Sequence, residues 1–99
     1  MLAIEVRTER SEILARFIDS SDELPQLIRA AQRPLSPALL MRFVNTEGDT
    51  VFNVLQLPTL RYEVEYLSRG TETELEPRFL ELIDQALAGP HRYIHIIGE

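Results

Sequence analysis

Four side chains in this 99-residue sequence have the chemistry for proton transfer or metal binding: His91, His95, Glu63 and Glu65. Histidines four apart on a helix can share one metal ion. On a strand they lie on one face but about 13 Å apart, at about 3.3 Å per residue. The surrounding Tyr93-Ile94-His95-Ile96-Ile97 reads as a strand, so a metal would need Glu63 or Glu65 beside His95. The simpler reading is two surface or interface histidines that titrate near neutral pH. Glu63 and Glu65 are two apart, and on one strand face they would repel each other, a common way to poise a general acid or base. With Arg61, Arg42 and Arg16 available as counter-ions, an ion-paired outer face is the expectation. No catalytic residue, metal or cofactor is expected.

Other chemistries are removed by composition. The chain has no cysteine, so disulfides, thiolate zinc sites and a cysteine nucleophile are excluded. All ten basic residues are arginine, which rules out a Schiff-base lysine and the lysine of a phosphate-binding loop. Gly48, Gly70, Gly89 and Gly98 are too far apart to cradle a phosphate, and no nucleophile elbow is present. Asn45 to Thr50 lacks the spaced carboxylates of a calcium loop and suits a hairpin turn. The net charge is −6 and no basic run exceeds one residue, which argues against nucleic acid as a partner. No apolar run approaches the roughly 20 residues that span a bilayer, and Met1-Leu2-Ala3-Ile4-Glu5 has no basic start. A cytoplasmic protein without membrane contact is expected.

The elements follow from periodicity. Leu2, Ile4 and Val6 alternate with Ala3, Glu5 and Arg7 as in a half-buried strand. Ile13 to Asp19 is read as a second strand. Ser20 with Glu23 suits a capping box, Pro25 is tolerated near the first turn, and Leu24, Leu27, Ile28 and Ala31 form a helical stripe. Ala38 to Asn45 and Thr50 to Leu57 read as a hairpin. Pro58 then marks either a corner or a bulge, and Leu60 to Leu67 reads as a further strand. Thr73 with Glu76 is a second capping box, Leu75 to Leu87 has helical spacing, Gly89-Pro90 is a stop, and His91 to Ile97 is the last strand.

This order implies a single α+β domain over residues 1–99. Its plan is an antiparallel sheet with two helices packed on one face, a ferredoxin-like (split β-α-β) variant with an extra N-terminal strand. The other face is then open. Alternation assigns it Tyr93, His95 and Ile97, with His91, from the last strand, Arg61, Glu63 and Glu65 from Leu60–Leu67, Arg42 with Leu40 and Val44, Arg16 with Leu14 and Ile18, and Asn53 with Val51, Leu55 and Leu57. About nine apolar neighbours among those charges are more than water normally keeps. The expectation is a non-enzymatic module that works by self-association as a homodimer or by binding another protein with a basic surface. Arg42, Arg61, Glu63, Glu65, Tyr93 and His95 would be its polar contacts. The alternative is a small-molecule sensor or enzyme using His95 with Glu63 or Glu65 at a sheet or subunit-interface cleft.

Overall fold

The computed structural model describes residues 1–98. The elements are β1 (Ala3–Thr8), β2 (Ile13–Ile18), α1 (Glu23–Ala31), a single 3₁₀ turn (Met41–Phe43), β3 (Asp49–Phe52), α2 (Leu57–Leu67), α3 (Leu75–Leu87) and β4 (Arg92–Ile97). The fold is therefore α+β, with four antiparallel strands in the order β2-β1-β4-β3. The last strand lies inside the sheet, between the first and the third.

Period-two alternation divides the side chains of the sheet. Ile4 and Val6 of β1, Ile94 and Ile96 of β4 and Phe52 of β3 are buried in one cluster with Leu24, Leu27 and Ile28 of α1, Leu60 and Val64 of α2, and Phe79, Leu82 and Ile83 of α3. All three helices thus cover the same face. Each fully buried side chain of this kind contributes roughly 1.5–3 kcal/mol.

Two helices begin with help from outside their own first turn. The Asp19 carboxylate accepts the Glu23 and Leu24 N–H groups at 3.0 and 2.8 Å, so Asp19 opens α1 in place of the expected Ser20 box. Glu23 in turn accepts the Leu75 N–H at 3.2 Å and joins the start of α1 to the start of α3. The hydroxyl half of the second expected box is present, with Thr73 Oγ1 accepting the Glu76 N–H at 3.1 Å.

Two segments differ from the expected strands. Leu60–Leu67 belongs to α2, because Leu57, Leu60 and Val64 recur at helical spacing on the buried side while Tyr62 and Tyr66 stack outside. Pro58 sits in the first turn of that helix, where its missing N–H costs nothing. Ala38–Asn45 is irregular around the 3₁₀ turn, and of the expected return strand Thr50–Leu57 only residues 50–52 are extended, as part of β3. The expected hairpin partner at 38–45 is not a strand, and β3 pairs with β4 instead. Without a strand at 38–45 or at 60–67, the two β-α-β units of the split plan do not form, and a third helix takes part.

Glycine is required where β4 ends. The Gly98 N–H donates to the Gly48 carbonyl at 2.7 Å, and a Cβ on Gly98 would lie 2.4 Å from the Thr46 carbonyl oxygen. Only glycine allows the Thr46–Gly48 turn to approach this closely.

Candidate functional site

The helix-free face of the sheet can be read row by row from the strand register. One row runs Ile18, Ala3, Ile97, Asp49, and the next runs Arg16, Glu5, His95, Val51. A third begins Ile13, Arg7, Tyr93, after a bulge that leaves Leu14 as the extra residue on β2. The bulge increases local twist and bends the edge strand.

Glu5 stands at the centre of this face yet is only 2% exposed. Its Oε1 accepts the Arg7 Nε–H at 2.7 Å, and Arg16 Nε lies 3.1 Å from Oε2. Two guanidiniums thus satisfy and cover one carboxylate, as a buried charge requires. Around this neutralised centre lie apolar side chains that remain half in water: Ile13, Ile18 at 47% and Val51 at 48%. His95 is opposite Glu5 on β4. Burial lowers its pKa from the ordinary value of 6.5, and the Arg7 charge lowers it further, against opposing contributions from Glu5 and Asp49. Beside it is a shallow hollow of about 190 Å³ whose lining includes Thr8, Val51, Tyr93 and His95.

Of the six expected contact residues, only Tyr93 and His95 lie on this face. Arg42 is in the 3₁₀ turn, with its guanidinium 5.9 Å from the Phe43 ring centroid. Arg61 and Glu65 are on α2, where Arg61 Nη1 meets Glu65 Oε1 at 2.9 Å and Arg61 Nε meets Asp84 Oδ1 of α3 at 2.9 Å. The hydrogen bond that Arg61 donates to the Asp84 carboxylate is the main cause of a raised Arg61 pKa. Glu63 is 1% exposed and accepts the Leu40 and Met41 N–H groups at 3.0 and 2.8 Å. It ties α2 to the 3₁₀ turn and lies in the helix layer, away from His95. His91 precedes β4, with φ of 55°, and its Nδ1 lies 3.6 Å from Glu9 Oε2.

Glu5, Arg7 and Asp49 are the residues that sequence reasoning left out of the site. The signal for the first two was available: they alternate with Ile4 and Val6 on β1, which places them on the opposite face. Asp49 had no such signal, because its place depends on β3 pairing with β4. Among the described residues no three His, Asp or Glu side chains are grouped so as to hold a metal ion. Among the described residues no helix is long and apolar enough to cross a membrane. No protein-family model matches the chain, and no curated protein or solved structure matches it.

Proposed function

We propose that this chain is a non-enzymatic, self-associating module in which two copies meet through the helix-free faces of their sheets. The observation that supports this most directly is the half-exposed apolar ring of Ile13, Ile18 and Val51 around the covered Glu5 carboxylate. A charge already neutralised inside its own chain needs little further desolvation when a partner arrives, whereas an unpaired one would oppose contact. The reading that pairs His95 with Glu63 or Glu65 has no geometric support, because those glutamates lie in the helix layer.

The face is complementary to itself. A twofold axis parallel to the strands places β2 over the partner's β3 and β1 over the partner's β4. Ala3, a small side chain, then faces Ile97. Arg16, on one outer strand, comes within a diagonal step of Asp49 on the other. Four strands about 4.8 Å apart, three of six residues and one of four, at about 3.3 Å per residue span roughly 19 by 20 Å at most. That footprint belongs to the small, reversible class of interfaces.

Sedimentation equilibrium over a range of concentrations tests the proposal. A concentration-dependent dimer is expected. Asp49→Arg weakens it by setting a positive charge against Arg16 of the other copy, without touching the Glu5 cluster. Val51→Arg, at an exposed position, weakens the dimer without touching the Glu5 cluster. A monomer at every concentration, or a dimer indifferent to Val51→Arg and Asp49→Arg, overturns the proposal.

A further inference from the structure

A second region, in the helix layer, carries features of a small-ligand site. Two hollows of about 410 and 270 Å³ adjoin at the C-terminal ends of α1 and α2 and share Arg33, Arg69, Ala30 and Leu67 in their walls. The larger falls in the size range in which small organic molecules are held, and the smaller lies just below it. The two halves differ in character. One is lined by Pro34, Leu35, Leu67 and Tyr66. The other adds Ser68, Thr71 and Thr73.

Three observations concern what this groove lacks. Among the described residues neither Arg33 nor Arg69 has a carboxylate partner, although the chain carries 16 acidic residues. Arg69 lies instead over the Tyr66 ring, 5.6 Å from its centroid. Ser68 is 4% exposed, and its hydroxyl has no hydrogen-bond partner. A buried polar group left unpaired is uncommon in folded proteins and requires a reason. Leu35 is fully exposed with φ of 66°, a strained conformation for a residue with a side chain. An apolar side chain held wholly in water at the rim gains from a ligand that covers it.

We infer that the groove between the C-terminal ends of α1 and α2 binds a small organic oxyanion, a phosphate or carboxylate group carried on an apolar or aromatic body. The planar forks of Arg33 and Arg69 match the oxygens of such a group, with the threonine hydroxyls as additional donors. The apolar body lies against Pro34, Leu35 and Tyr66. Glu23, which keeps its negative charge while accepting the Leu75 N–H, stands in the wall of the smaller hollow alone, so the oxyanion is placed at the Arg33 and Arg69 end. The site is separate from the open face of the sheet, so it stands whether or not the chain dimerises.

Titration of the whole chain with phenyl phosphate, followed by amide chemical shifts, tests this. Saturable shifts are expected at Ser36 and Thr71, with tighter binding than inorganic phosphate because the ring adds apolar contact. Arg33→Gln and Arg69→Gln, both at exposed positions, each weaken binding about tenfold, the worth of one charge-assisted hydrogen-bonding partner. Benzoate in place of phenyl phosphate tells which oxyanion the forks prefer, and the tighter of the two names the group. Unchanged shifts elsewhere in each variant show that the fold is retained. The inference is overturned if neither aromatic anion binds saturably, if inorganic phosphate binds as tightly as phenyl phosphate, or if both arginine variants bind like the parent chain.

Discussion

Glu5 concentrates the physical chemistry of the open face in one residue. Exposed by topology, it is buried by its neighbours, because Arg7 and Arg16 lie across it. A carboxylate so held is expensive to isolate: removing one partner of a buried pair costs about 3–5 kcal/mol, largely through the charge left behind. Its cross-strand neighbour His95 is affected in the opposite sense, since burial and Arg7 favour the neutral ring. The folded-state pKa of His95 is therefore below the unfolded value. As pH falls through about 6.5, the unfolded chain takes up a proton that the folded chain resists, so stability present at neutral pH is lost on acidification. The urea midpoint should fall between neutral pH and about pH 5, and His95→Gln should flatten part of that decline. An equal decline in both proteins would show that the ring does not contribute. Alternation alone placed Tyr93, His95, Arg16 and Ile18 on this face, because a strand of period two leaves no other choice once its apolar side is known.

At the scale of the element, α2 shows where such reading stops. Leu60, Tyr62, Val64 and Tyr66 alternate well enough for a strand, and Leu57, Leu60 and Val64 recur equally well for a helix. Eight residues hold too few turns to decide between the periods. What decides is tertiary: Glu63, between those positions, reaches the 3₁₀ turn and holds the Leu40 and Met41 N–H groups. Nothing local in the sequence signals a bond across more than twenty residues. The same bond explains why Ala38–Asn45 is not a strand, since its backbone donors turn toward α2. Glu63→Ala leaves two backbone donors unpaired, and at about 1–3 kcal/mol for each it should lower the thermal midpoint severely. Glu63→Gln keeps one carbonyl acceptor and should lose less. Thermal unfolding followed by circular dichroism distinguishes them, and equal losses would show that packing volume, not hydrogen bonding, sets the cost. By contrast α1 and α3 were legible from their apolar stripes, because Leu24–Ala31 and Leu75–Leu87 bury one continuous side each.

For the molecule as a whole, the decisive feature is the strand order. Composition and element type were sufficient for an antiparallel α+β sheet, but the order β2-β1-β4-β3 depends on pairing between residues at the two ends of the sequence. Ala3 stands opposite Ile97, so the first and last strands are neighbours with their outer ends together. A short flexible linker from residue 98 to residue 2, with the chain reopened in the exposed 69–72 loop, should therefore fold with the parent far-ultraviolet spectrum and one cooperative transition. Loss of cooperativity in that permutant would count against the β1–β4 pairing.

That pairing also has a consequence during synthesis. The ribosome releases β4 after every other element, at roughly 5–20 residues per second. Until then β1 has only β2 beside it and β3 has no strand partner at all. Ile4 and Val6 wait without Ile94 and Ile96 beside them, and the nascent sheet cannot be assembled in instalments. The arrival of β4 completes it in a single step.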